Sequence, residues 1–413
     1  MGKKLHASAQ RPRRSGGILS LTWPIFIELL LQMLVGNADQ IMVGWYDPNG
    51  VGAIGNANQI TNLLLLVFSV ICTASMILIA QYIGAEDTKR VNETYTVSLV
   101  VNGIFGLAIG GLLMALCGPI FHLMKVPEEI FADTCLYIRI IGGGMVFQSI
   151  YLTFTAFFRS SQMMKETMLI SVLMNLMNIG GNALLINGAF GLPALGVAGA
   201  AVSSDVSRIF GVVVIAILFR RRFGPVIRLS HLRPFPVDQL RRLLRIGLPT
   251  GGESISYNLS QICIQSICNN FALFVINTRV YANMFAMLTY MFASAVAQAT
   301  QVVVARLMGA EQIEEVDRRV KRTLLASLAI STLVSVVLYL FSTPLLRLFT
   351  SDQAVLELFH TIMLIEIPLE IGRAVNIVMC RSLQACGDIR FPIAICVFSA
   401  WLTAVGGGLL LSM

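Results

Sequence analysis

The sequence predicts an all-α integral membrane protein made of two pseudo-symmetric six-helix lobes. Three observations carry that expectation. First, the 413 residues are 56% hydrophobic and only 13% charged, with a mean hydropathy of +0.77, more apolar surface than a soluble chain of this length can bury. Second, the apolar residues gather into stretches of the ~20 residues or more needed to cross a bilayer; with no water to satisfy backbone groups there, such stretches are helices, and the short alternating segments of a β-barrel are not seen. Third, the chain repeats itself. LTWPIFIE near residue 20 returns as IGLPTGGE near 245, so Pro24 and Pro249 stand 225 apart (249 − 24), as do Glu28 and Glu253. Ala57-Asn58 matches Ala282-Asn283, and IAQYIGAE (79–86) matches VARLMGAE (304–311), at the same offset; FRSSQ (158–162) and CRSLQ (380–384) stand 222 apart. Two copies of one unit in the same orientation point to a transporter with a central cleft.

Eleven spans are expected. Residues 1–17 form a polar basic tail, expected not to be a cleaved signal peptide because the apolar stretch that follows is too long and its end resembles no cleavage site. Span 1 (18–44) holds Pro24 one turn before Glu28; spans 2 (53–83), 3 (89–117) and 4 (129–157) are long enough to tilt or to outrun the bilayer. Span 5 (166–187) carries LMNLMNIGGNALL, and span 6 (194–219) opens with GLPALGVAGAAVSS. The Arg/Pro-rich segment 223–240 is the linker between an N-terminal lobe (18–222) and a C-terminal lobe (241–413) that holds spans 7 (243–269), 8 (277–308), 9 (322–342), 10 (353–380) and 11 (391–412). The second half stops 32 residues past Arg381 (413 − 381), while the first continues 65 past Arg159 (224 − 159). Span 6 has no counterpart, so a twelfth helix is expected to be absent, by truncation or loss, which would leave the C-terminus outside.

Lys and Arg concentrate in the tail, in the linker and in the other even-numbered loops, which the positive-inside rule makes cytoplasmic, the N-terminus included. The net charge of +8 thus reports topology in a multi-pass plasma-membrane protein; nucleic acid is not an expected partner. The eight cysteines form no CxxC pair and the four histidines lie at no metal spacing. Neither a P-loop nor HExxH is present, and no Ser/His/Asp set stands out, so the chain is no enzyme and needs no cofactor; an ion gradient is the expected energy source.

Acids and amides inside the bilayer are costly and mark function by default. On span 1, Gln32 and Asp39 fall about 40° and 20° from Glu28 around the helix, one face over ~16 Å. The repeat makes Glu28 and Glu253 partners, for which symmetry favours a structural role; Asp39 faces Ile264 instead and is unique to the first half. A carboxylate in a half-desolvated cavity can exchange a proton or Na⁺ for a cationic substrate; capping the end of helix 1 is the plainer role. Asn175, Asn178 and Asn182 line one stripe of span 5 and can either offer oxygens to Na⁺ or bridge helices. Ser203, Ser204, Asp205 and Arg208 follow on span 6, the last two at ion-pair spacing, as are Glu366, Glu370 and Arg373 around Pro368 on span 10. Asn58 and Asn283 are equivalent by the repeat and serve packing or line the cleft, where the 19 methionines and 23 phenylalanines supply soft apolar bulk.

The segments LTWPIFIELLLQMLVGNADQIMVG, IAQYIGAE, VARLMGAE, GLPALGVAGAA, RIGLPTGGE and RSLQACGDIRFP resemble, in order and in place, the multidrug and toxic compound extrusion (MATE) transporters; EIGRAVNIVMCRSLQACGD most resembles their DinF-like branch. The resemblance implies alternating access and export of organic cations against H⁺ or Na⁺. It assigns ion coupling to Asp39, with Asn178, Asn182 and Ser204 beside it; Asn182 stands where related members have Asp, and Asp205 partly compensates. It leaves Gln32, Asn58, Asn175, Asp205 and Asn283 for a substrate cavity, Glu28, Glu253 and Glu370 as secondary candidates, and Asp388 as the match to a second-lobe cation ligand, here in a GD turn. A monomeric antiporter of small organic cations is the leading expectation. A flippase for lipids or lipid-linked sugars, and a non-transporting remnant, are the alternatives.

Overall fold

The computed structural model describes residues 17–188, Gly191 and residues 193–412, so the basic tail before Gly17 lies outside the described residues. Every regular element among them is helical. Eleven long helical segments fall on the eleven expected spans: α1 Ile18–Tyr46, α2 Pro48–Gly84, α3 Thr88–Leu123, α4 Glu128–Ser160, α5 Met164–Leu185, α6 Gly196–Phe223, α7 Val237–Cys268, α8 Leu273–Gly309, α9 Ile313–Leu340, α10 Gln353–Cys386 and α11 Arg390–Ser412. Among the described residues, nine of them are long and apolar enough to cross a membrane. The other two are α7, diluted by its GGESISYNLSQ run, and α10, whose middle carries Glu366, Glu370 and Arg373. Residues Ser399–Gly406 of α11 are wound as π-helix.

Local chemistry sets the ends. Asp47, Asp87 and Asp352 each turn a carboxylate back onto a backbone N–H, of Asn49, Arg90 and Ala354, at the starts of α2, α3 and α10, supplying a partner that an unpaired first turn lacks. The repeated segments IAQYIGAE and VARLMGAE build the same turn twice. Glu86 and Glu311 both sit at φ 57°, and the N–H groups of Asp87 and Gln312 return to the carbonyls of Tyr82 and Leu307, both at 3.0 Å. Identical chain reversals after α2 and α8 make the sequence repeat a structural one.

Two compact units result. One is Ile27–Gly247; the other joins the described part of Ser15–Phe26 to Leu248–Met413. The divisions fall inside α1 and α7, beside Pro24 and Pro249, rather than in the linker. The first turns of α7 belong to the first unit: the Cβ position of Gly247 abuts the Val70 backbone, and the Tyr82 hydroxyl bonds Gln239 at 3.1 Å. The first turns of α1 belong to the second, where Phe26 meets the ring of Phe292 at 5.8 Å.

In the first unit Tyr95, Phe157, Phe158, Phe219 and Phe223 stack edge to face between α3, α4 and α6. Beside them α3 and α4 cross on small residues. Cβ atoms at Gly106 and Gly110 would collide with the Ser149 hydroxyl and the Gly142 carbonyl oxygen, so glycine is what lets these backbones touch. Adding 225 to Ser98, Asn102, Gly106 and Gly110 gives Thr323, Ser327, Ser331 and Ser335, all buried on α9. The seam is kept in the second unit, with hydroxyls in place of bare backbone. Gly110→Ala should therefore cost about 1–3 kcal/mol through overpacking. Gly103→Ala on the same helix, where a Cβ meets nothing within 4 Å, should leave the thermal melt of the detergent-purified protein unchanged.

Candidate functional site

Asp39 lies in the C-terminal half of α1, on a helix that carries no basic residue in its described part. Its carboxylate is 6% exposed and faces α5 and α6. The Asn182 amide donates to Oδ1 at 2.5 Å and the Ser204 hydroxyl to Oδ2 at 3.3 Å. Asn178 in turn donates to Ser204 at 3.0 Å, while Ser203 donates to the Asn178 backbone carbonyl at 2.8 Å. The i, i+4 spacing of Asn178 and Asn182 places both amides on the α5 face toward α6. Gly181 between them has no Cβ to strike Ser203, which is why α6 can approach close enough for its serines to reach α5.

The carbonyl oxygens of Asn178 and Asn182, both buried, have no hydrogen-bond partner among the described residues. One hydrogen-bonded network thus contains two carboxylate oxygens, two amide groups with unclaimed oxygens and a hydroxyl. All are hard oxygen donors, the chemistry that suits a proton or a small hard cation such as Na⁺. Asp39 forms no ion pair among the described residues, which separates it from Glu28 and Asp205, the other acids within the helix bundle of its unit. Asp205, behind it on α6, is held by Arg208 at 2.9 Å, and its carboxylate reaches the α4 backbone at Gly144. Glu28 is 1% exposed and is held by Arg159 at 2.9 Å, with Thr167 donating at 3.4 Å.

The other sequence candidates are scattered. Gln32 is exposed although it shares a face with Glu28 and Asp39, because the 40° offset turns it off the narrow buried seam. Asn175, one turn before Asn178, and Asn58 on α2 are half-buried outside the network; Asn283 is exposed on α8. In the second unit Glu253 accepts from Gln384 at 3.1 Å. Glu28 and Glu253 therefore both engage the repeated FRSSQ/CRSLQ segment, through its arginine in one copy and its glutamine in the other. Glu370 is fully buried and bound to Arg373, which also holds Glu366 at 3.1 Å. Asp388 is exposed next to Gly387, whose φ of 93° ends α10, and its N–H closes that turn on Leu383 at 3.1 Å.

Tyr137 on α4 escaped the sequence reading. It is 3% exposed, and the charges of Asp39, Asp205 and Arg208 all bear on its hydroxyl. A tyrosine in an apolar span carries no signal beyond its type, and only the packing of α4 against α6 brings it to the site.

A repeated helical unit crossing the membrane, with an uncompensated acid enclosed by amides and hydroxyls, defines a membrane transporter. The MatE family model matches the chain twice, over residues 24–184 and 249–409, the same 225-residue offset; the chain belongs to that family of transporters. It is 34% identical over 384 residues to the uncharacterized transporter YisQ of Bacillus subtilis, covering 93% of this chain and 84% of YisQ. It is 26% identical over 394 residues to the probable multidrug resistance protein NorM of Thermotoga maritima, covering 93% and 82%. The fold is similar to the bent form of the Vibrio cholerae MATE transporter VcmN (TM-score 0.86, 18% identity, 96% and 88% of the two chains). It is also similar to a MOP superfamily transporter from Pyrococcus furiosus (TM-score 0.85, 20% identity, 98% and 90%).

Pairing decides what substitution costs. Arg159→Ala leaves the Glu28 carboxylate buried alone and should destabilise the protein by about 3–5 kcal/mol, an effect that pairing it with Glu28→Gln largely reverses. Asp39→Asn, which removes a buried charge that forms no ion pair among the described residues, should leave the melting temperature unchanged or raised in the same detergent assay.

Proposed function

We propose that this protein is a secondary antiporter that exports small organic cations in exchange for H⁺ or Na⁺, with Asp39 as the coupling carboxylate. The observation that carries the reading is the burial of that acid with no ion pair among the described residues, beside two amide groups whose oxygens have no partner there. A bound ion satisfies all three groups at once; an organic cation competes with it for the same negative charge. Exchange follows if the two ligands exclude each other at Asp39 while the site opens alternately to the two sides of the membrane.

Asn178, Asn182 and Ser204 complete the ion site in this reading, and Tyr137 borders it. Gln32, Asn58, Asn175, Asp205 and Asn283 are the candidates for substrate contact. Glu28 ties α1, which carries Asp39, to α4 and α5, Glu253 ties α7 to α10, Glu370 forms a self-compensated cluster with Arg373, and Asp388 caps α10. The two halves, 18–222 and 241–413, act as a monomer in the plasma membrane, with the N-terminus and the arginine-rich loops cytoplasmic; the branch is the DinF-like one. The multidrug-resistance names of the NorM relatives support drugs as substrates, and the negative charge of Asp39 suits cationic ones. A flippase for anionic headgroups calls for unclaimed cations in the membrane; of the three intramembrane arginines, Arg208 and Arg373 are engaged by carboxylates and Arg139 donates to the Cys117 sulfur.

The test is efflux of a fluorescent cation in inverted vesicles. Wild type should accumulate dye when a proton or Na⁺ gradient is imposed, and Asp39→Asn should abolish the response to that gradient. Fully coupled transport by the variant would remove Asp39 from the mechanism, and no transport by wild type would leave the remnant reading. Titrating dye binding to purified protein separately with pH and with Na⁺ identifies the ion: the one that displaces dye from wild type, and not from Asp39→Asn, is the coupling ion.

A further inference from the structure

Cys380 and Cys396 occupy matched positions on the α10–α11 hairpin: six residues before the end of α10 at Cys386, and six after the start of α11 at Arg390. At ~1.5 Å rise per residue both lie ~9 Å below the turn. The hairpin brings the two sulfurs to 3.2 Å, in direct contact. Both thiols aim at one acceptor, the Asn376 side-chain oxygen, at 3.0 and 3.4 Å. Both are free and half-buried, and Glu253 on α7 is near enough for its charge to bear on each. Packing alone asks for none of this; a small apolar pair would fill the same space without two soft nucleophiles converging on one polar atom. If the arginine-rich loops are cytoplasmic, the pair faces the compartment where thiols are kept reduced.

We propose that Cys380 and Cys396 form a two-thiol binding site for monosubstituted trivalent arsenicals of the type R–As(OH)₂. Soft thiolates are the preferred ligands of such thiophilic centres, and two sulfurs already in contact match a single arsenic that takes two of them. In the capture step two As–S bonds form and two As–O bonds break. Each thiol proton leaves with a hydroxide as water, and arsenic stays trivalent, so no oxidant or reductant is consumed. Asn376, the shared acceptor of both S–H groups, orients the sulfurs, and Glu253 is the carboxylate near enough to pass the thiol protons to the departing hydroxides. The product staples α10 to α11. This site is separate from Asp39 and stands whether or not that acid couples transport.

Phenylarsine oxide is the probe, and peptide mapping after maleimide alkylation of the purified full-length protein is the readout. In wild type, stoichiometric arsenical should shield Cys380 and Cys396 together and leave Cys386, also on α10, as reactive as before. A dithiol such as dimercaptopropanol should restore labelling, while a monothiol should not. Because the second As–S bond is intramolecular, Cys396→Ser should lower the apparent affinity at Cys380 at least about a hundredfold. Unchanged labelling of both cysteines in wild type overturns the proposal, and does so without any variant having to fold. Shielding of Cys380 that persists at the same affinity in Cys396→Ser overturns it as well.

Discussion

A charge enclosed in a membrane protein must find an opposite charge, a proton or a mobile ion, and the first unit is arranged around which of its acids have which. Glu28 has Arg159 and Asp205 has Arg208. Asp39 has only neutral donors, an amide and a hydroxyl. Desolvating a lone carboxylate costs several kcal/mol, so the site is stable only when something else supplies the missing charge. That requirement is what the proposed exchange at Asp39 rests on. It also explains why the surroundings are built so tightly, with Gly181 letting α6 reach α5 and Gly144 letting Asp205 reach α4.

The two repeats show how one scaffold separates support from chemistry. Each places a glutamate one turn after a proline and ties it to the same repeated segment, and each reverses the chain after its second helix through a glutamate in the left-handed region. Those features fix the frame. The position equivalent to Asp39 is Ile264, and the second unit keeps its acids near arginine in the Glu366–Arg373–Glu370 cluster. Small residues follow the same logic. The α3 seam uses glycine to bring backbones together, while the equivalent α9 positions carry buried hydroxyls. Architecture was duplicated, and the uncompensated charge was kept in one copy.

Much of this was legible in the chain. The 225-residue register, the eleven spans and the all-helical class follow from hydropathy and repetition, since a bilayer leaves the backbone no alternative to closing its own hydrogen bonds. The stripe of Asn178 and Asn182 and the singularity of Asp39 were readable because the helical period fixes which residues share a face. The Asp205–Arg208 pair was readable for the same reason. Partners from other helices were not: Arg159 lies 131 residues from Glu28 (159 − 28), and Tyr137 lies 98 from Asp39 (137 − 39). The thiol contact between α10 and α11 likewise depends on the register of a hairpin. Gln32 shows the converse, a residue on the right face that packing leaves exposed.

By itself, then, the sequence determined the helices, their repeat and the absence of an acid at the position equivalent to Asp39, because those depend on local periodicity and on the demand of lipid for paired backbone groups. Tertiary structure alone decided where the compact units divide, inside α1 and α7 rather than at the linker, and which acids are neutralised. The reason is physical: a helix sets the direction of a side chain, but the charge it meets belongs to whichever distant helix packs against that face.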